Sequence, residues 1–261
     1  MKNNIALCLF TSTKGHFDIK TRYRETVTSL SKQYGVSSFC NAIAHVKISP
    51  DELETFEKMR VELENYGFNV ISTGANWKHG DQSHQSEYLN DMRKVFNHPL
   101  ISECPYALFM EDDMTIHPRT QDLPYYLYEA TRILQSNPNT VSVRIARVAN
   151  ERERVAGLRE KHGINSIVKD SNRPDLYFYG NDFSNNPHVC RVRDMRNALL
   201  LMSKNPGAFM EHSEMGLGPA LKYFSQEDES IAIFNPDRIV ARHIGTELGQ
   251  EELADKEYTS S

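Results

Sequence analysis

Hydrophobic and polar positions in the first half of the chain switch repeatedly between two periods. Residues 5–10 (IALCLF) form a compact apolar run of strand length, closed by a polar stretch through Gly15. Behind it Ile19, Tyr23, Val27, Leu30 and Tyr34 recur at near-helical spacing. Residues 37–48 return to strand, after which Ser49-Pro50-Asp51-Glu52 reads as a helix start, with serine as cap, proline in the first turn and glutamate three positions after the cap. Leu53, Phe56, Leu63 and Tyr66 line that helix and Gly67 ends it. Residues 68–73 are a third strand, and Tyr88, Leu89, Met92, Val95 and Phe96 mark a third helix. The fourth strand is Ala107-Leu108-Phe109-Met110, and it runs straight into Glu111, Asp112 and Asp113.

Strands that alternate with helices of this length predict an α/β fold with a mostly parallel central sheet and helices on both faces, because each parallel pair needs a crossover connection. In such sheets ligands bind beyond the carboxyl ends of the strands, which is where the acidic tip lies. The second half is less regular. It reads as a helix over 122–135, a strand over 141–148, a polar stretch over 150–192 containing the aromatic run 176–180, and a glycine-rich turn and helix over 205–224. With no repeat or low-complexity linker, the chain reads as one domain, and its acidic, weakly apolar tail (247–261) is expected to be mobile.

At 261 residues, 39% hydrophobic and 25% charged, the chain can bury a full core. The first strand is too short for a secretory apolar region and far short of a membrane span. Cys8, Cys40, Cys104 and Cys190 show no C-x-x-C spacing, which fits reduced thiols in a cytoplasmic protein better than a disulfide framework or a zinc site. The net charge of −5 is unevenly spread, since residues 141–204 carry twelve Lys and Arg against seven Asp and Glu. That surplus reads either as a solvated surface with local charge pairs or as an electropositive face for an anionic partner.

The acidic tip carries the chemistry. Successive strand side chains point to opposite faces, so Glu111 and Asp113 are expected to project together, roughly 7 Å apart along the chain, with Asp112 pointing away. Three carboxylates so close repel one another, and a divalent cation or a hydroxyl-bearing ligand would relieve the repulsion.

Following three strand–helix units, LFMEDDM (108–114) resembles the acidic signature, D-x-D or E-D-D, of the GT-A-fold glycosyltransferases. The resemblance implies a Rossmann-like GT-A fold in a single domain, with residues 1–115 forming a nucleotide-sugar-binding half and 116–246 an acceptor-binding half. It implies metal-dependent transfer of a hexosyl or pentosyl group from a nucleoside-diphosphate sugar, a UDP-sugar foremost, to an acceptor hydroxyl with inversion. Asp113 would ligate Mn²⁺ or Mg²⁺, while Glu111 and Asp112 would touch the ribose or donor sugar. Glu227 and Asp228, at what reads as a helix start, and His243, after an apolar strand, follow in the order in which inverting members carry a general base and a late histidine ligand. Asp228 is the expected base, with Glu227 behind it, and His243 the second metal ligand. Thr11, at the end of the first strand, would meet the base and ribose, and Lys14 or Arg93 a phosphate; His45 and Lys47 stand in a comparable position. The basic stretch lies in the acceptor half, so the implied acceptor carries negative charge, as a phosphorylated glycan, a teichoic-acid-like polymer or a nucleic acid does.

The loop Thr11-Ser12-Thr13-Lys14 departs from the Asn-Arg dipeptide common in that family, which leaves the nucleotide open. A sugar-phosphate nucleotidyltransferase is the rival enzyme class, but it needs a glycine-rich phosphate cradle after the first strand, and FTSTKGHFD has one glycine. A non-catalytic sugar-nucleotide-binding module is the third reading, and it leaves Asp228 without a task.

Overall fold

Alternation along β1 (Ile5–Ser12) decides how the sheet is covered: Ile5, Leu7 and Leu9 pack into one apolar cluster, and Ala6, Cys8 and Phe10 into another. The computed structural model describes residues 4–13, 22–74, 83–116, 123–145, 167–169, 176–179, 187–205, 207–209, 213–224, 231–234 and 241–243. Strands β2 (Ala42–Ile48), β3 (Asn69–Gly74) and β4 (Tyr106–Glu111) join β1 in the parallel order β3-β2-β1-β4. Helices α1 (Arg22–Gln33), α2 (Leu53–Asn65) and α5 (Leu123–Ser136) bury Val27, Leu63 and Leu127 on one face. Helices α3 (Ser83–Asn97), α6 (Val192–Lys204) and α7 (Ser213–Lys222) bury Met92, Met195 and Leu217 on the other, and α4 (Pro99–Ser102) leads into β4.

The two-faced α/β sheet expected from the pattern is present, and antiparallel members enter in the second half. β6 (Ser142–Arg144), β7 (Ile167–Lys169), β8 (Leu176–Tyr179), β9 (His188–Arg191) and β10 (Ile231–Phe234) extend the sheet in the order β4-β9-β6-β10-β8-β7. β9 is antiparallel to both β4 and β6, whereas β10 runs parallel to β6 and hence to β4. A separate pair joins β5 (Met114–Ile116) antiparallel to β11 (Ala241–His243).

Two local expectations are corrected. Ser49-Pro50 is not a helix cap: Glu52 N donates to Ser49 O at 3.2 Å in a turn with Asp51 at φ 66°, and α2 starts at Leu53 behind Glu52. Residues 37–41 are not strand. Ser37 and Ser38 belong to a short 3-10 turn, Val36–Ser38, entered through Gly35 at φ 84°, a value that favours glycine, and residues 39–41 bend from it into β2.

Arg191 pins the end of α5. Its Nη1 donates to the carbonyls of Pro138 at 3.1 Å and Thr140 at 2.5 Å, and its Nη2 to those of Asn137 at 2.8 Å and Leu134. These carbonyls lie where a helix runs out of its own donors, so one guanidinium serves the whole turn. Replacing Arg191 with Ala is expected to lower the unfolding free energy by about 3 kcal/mol. Urea titration should show a lower midpoint at unchanged slope, and an unmoved midpoint would remove this role. Arg144 is buried, and Arg191, nearly so, is taken up by the turn after α5.

Candidate functional site

β1 and β4 end side by side, Phe10 in register with Glu111, at the carboxyl edge of the parallel sheet. Asp112 is held to that edge by its own backbone, its N–H donating to Phe10 O at 3.0 Å, and Thr26 Oγ1 of α1 donates to the Asp112 carbonyl at 2.7 Å. Its side chain accepts from Thr11 Oγ1 at 2.6 Å, on the face covered by α1. Glu111 faces the other way and accepts from Tyr88 Oη of α3 at 2.5 Å. The opposed orientation of these two carboxylates follows the strand alternation. Asp113 lies in the turn between β4 and β5, beyond the strand, so alternation does not govern its direction.

The electrostatics are crowded. Asp112 and Asp113 are 9% and 7% exposed. Burial pushes the Asp112 carboxyl up to about 7; the Thr11 hydrogen bond opposes the rise, the neighbouring Asp113 charge adds to it, and the Arg22 guanidinium again opposes it. Burial, reinforced by the Glu111 charge, drives the Tyr88 phenol well above its ordinary range, so Tyr88 stays a donor to Glu111. An added positive charge at this tip would be favoured by every one of these groups except Arg22.

β11 reaches this tip from the far end of the chain. His243 pairs in register with Met114, so its backbone lies about 5 Å from the residue that follows Asp113. The two expected metal ligands are therefore adjacent in the fold, though 130 positions apart in sequence.

The other expected residues fare differently. Thr11 stands at the strand end as expected, with its hydroxyl engaged by Asp112. Arg93 points elsewhere: its Nε donates to Leu199 O of α6 at 3.1 Å and its Nη1 to Asn90 Oδ1 at 2.6 Å. It ties two helices together, and the phosphate contact expected of it is withdrawn. Lys14, Glu227 and Asp228 lie outside the described residues. The elements on either side are described: α7 precedes the acidic pair in sequence and β10 follows it. Because β10 runs parallel to β4, with Ile231 level with Ser142, Cys190 and Ala107, its first residue lies toward the edge opposite Glu111. The helix start in this region is at Ser213, with Glu214 in its first turn.

Sequence reading missed a buried network beside the tip. Lys47 Nζ lies 3.0 Å from Asp91 Oδ2 and 2.8 Å from Glu87 Oε2 of α3. Thr73 Oγ1 donates to Asp91 Oδ1 at 2.9 Å, and His45 Nε2 lies 3.1 Å from Thr73 Oγ1 and 3.5 Å from Asp91 Oδ1. Burial alone would raise the Asp91 carboxyl, but the partners His45 and Lys47 overcome it and hold Asp91 below its ordinary range. The available signal was polar His45 and Lys47 within an otherwise apolar strand, one turn of reasoning short of their acidic partners on α3.

No protein-family model matches the chain, and no curated protein matches it. Among solved structures it is similar to core-mannan synthase A from Aspergillus fumigatus in its Mn/GDP form, at 12% identity and TM-score 0.45, over 93% of this chain and 75% of that one. It is also similar to S. aureus TarS 1–349, at 12% identity and TM-score 0.46, over 92% of this chain and 60% of that one. A third similarity is to GalNAc-T7 with UDP, GalNAc and Mn²⁺, at 8% identity and TM-score 0.51, over 92% of this chain and 43% of that one. The chain thus spans less than two thirds of the latter two. No helix among the described residues is long and apolar enough to cross a membrane. The third likeness and the strand order together give the architecture: a Rossmann-like α/β fold of the GT-A type.

Proposed function

We propose that this chain is a metal-dependent glycosyltransferase that moves a sugar from a nucleoside-diphosphate sugar, a UDP-sugar foremost, to a glycan hydroxyl with inversion. The observation that carries the reading is the β5–β11 pairing, which sets His243 beside the Glu111–Asp113 tip at the carboxyl edge of a GT-A-type sheet. The UDP and Mn²⁺ bound in the GalNAc-T7 structure support the same ligand classes here.

The donor set fits a hard divalent cation. A carboxylate paired with an imidazole is an oxygen-and-nitrogen donor set that Mn²⁺ or Mg²⁺ would accept, with substrate phosphate oxygens left to supply further ligands. Asp113 and His243 would hold it. When bound it neutralises charge growing on the departing diphosphate.

The chain's own residues set the rest. Thr11 and Thr26 fix Asp112, and Tyr88 fixes Glu111, so two carboxylates are held in place for donor hydroxyls on either side of the strand end. The acceptor hydroxyl must lose its proton to a carboxylate within reach. Asp228, with Glu227 behind it, is the proposed base. Replacing Asp228 with Asn is expected to slow transfer by ~10² while sparing donor binding. An unchanged rate of transfer would remove the role from Asp228.

The reading is tested by incubating the protein with a panel of nucleoside-diphosphate sugars, with and without Mn²⁺, and measuring release of nucleoside diphosphate. Release that needs the metal supports it. Consumption of a nucleoside triphosphate with pyrophosphate release would move the chain to the nucleotidyltransferases, and silence throughout would make it a binding module.

A further inference from the structure

The four cysteines, dispersed in sequence, divide into two kinds. Cys8 and Cys190 are fully buried in the sheet, and burial raises both thiols far above the ordinary range. Cys40 and Cys104 meet at the amino edge of the same sheet, with their sulfurs 2.7 Å apart. Cys40 precedes β2 and Cys104 precedes β4, and β1 runs between those strands. Both segments are anchored independently of the sulfurs. Cys40 N donates to Ile5 O at 3.0 Å, Cys104 N to Ile101 O at 2.9 Å, and Asn41 Nδ2 crosses from one segment to the other, donating to Leu100 O at 2.7 Å. Folding has therefore already met the entropy of bringing the thiols together, and Cys40 is partly exposed while Cys104 is covered.

We propose that Cys40 and Cys104 are an oxidisable dithiol that closes to an intramolecular disulfide by exchange with a low-molecular-weight disulfide. The Cys40 thiolate attacks one sulfur of that disulfide, forming a mixed disulfide and releasing one small thiolate. The Cys104 thiolate then attacks the Cys40 sulfur, forming the Cys40–Cys104 bond and releasing the second. Two protein thiols are oxidised, two small thiols are produced, and two protons pass to solvent and the released thiolates. Burial, with Cys104 beside it, holds the Cys40 thiol up to about 12, so the first step is slow at neutral pH although the second is intramolecular. The bond would clamp β2 to β4 across β1, at the edge opposite Glu111–Asp113, and so stiffen the donor half without touching the candidate site.

The test uses oxidised glutathione on the full chain, followed by intact mass and peptide mapping. The expected product has lost about 2 Da and yields a single linked pair of peptides containing Cys40 and Cys104, with Cys8 and Cys190 still free. Its thermal midpoint should rise by roughly 8 °C over the reduced protein, and the rise should vanish on adding dithiothreitol. The Cys104→Ser variant should stop at a glutathione adduct on Cys40. Four free thiols after prolonged exposure, a persistent glutathione adduct on wild-type Cys40, or linkage through Cys8 or Cys190 would overturn the proposal, and each is read on wild-type protein even where a variant folds poorly.

Discussion

Replacing Asp113 with alanine is expected to abolish Mn²⁺-dependent release of nucleoside diphosphate, a loss of ~10² or more, without lowering the stability of the metal-free protein. The two readouts are chosen to separate a ligand from a scaffold residue. Asp113 adds to the upward push on the Asp112 carboxyl, so the two neighbouring charges repel. Removing it relieves that repulsion, and the thermal midpoint without metal should hold or rise. A structural carboxylate would behave in the opposite way, lowering the midpoint when removed and leaving turnover in step with the fraction folded. Preserved Mn²⁺-dependent release in Asp113→Ala would remove the residue from the site.

The second large effect is expected at Asp91, where replacement by alanine should cost about 3 kcal/mol or more of unfolding free energy. Asp91 is buried and engages Lys47, Thr73 and His45 together, so truncation strands a buried ammonium with Glu87 as its remaining acidic partner among those described. The damage should spread along α3. That helix also presents Tyr88, which holds Glu111, so donor affinity should weaken even in the fraction that stays folded. Asp91→Asn, which keeps the volume and one acceptor oxygen, should cost less. Guanidinium titration of both variants decides the matter, and a midpoint shift of less than a tenth of the wild-type value for Asp91→Ala would show that the network adds nothing to the fold.

The parallel half of this fold was legible because β1, β2 and β4 are mostly apolar on both faces and alternate with helices that carry a one-sided stripe, as in Ala107 and Phe109, which share a cluster with Met92 and Phe96. The acidic tip stood out for the same reason: three consecutive carboxylates close an otherwise apolar run. The second half of the sheet was harder to read. Strands β6 to β10 are three or four residues long, too short for a period to declare itself, and their antiparallel order depends on which neighbours they meet. Glu227 and Asp228 lie outside the described residues, and nothing local to them reveals that the next described element is a strand running the same way as β4. The Lys47–Asp91 network and the Cys40–Cys104 contact join residues 44 and 64 positions apart, and composition carries no trace of them.

The β5–β11 pairing also dictates when the site comes into being. Its two halves, 114–116 and 241–243, lie well over a hundred positions apart in the order in which a ribosome delivers the chain. A nascent polypeptide makes residues 114–116 long before 241–243, so this pairing is among the last long-range contacts to form. On the proposed reading, cation capture by chains truncated before residue 241 should accordingly be poor.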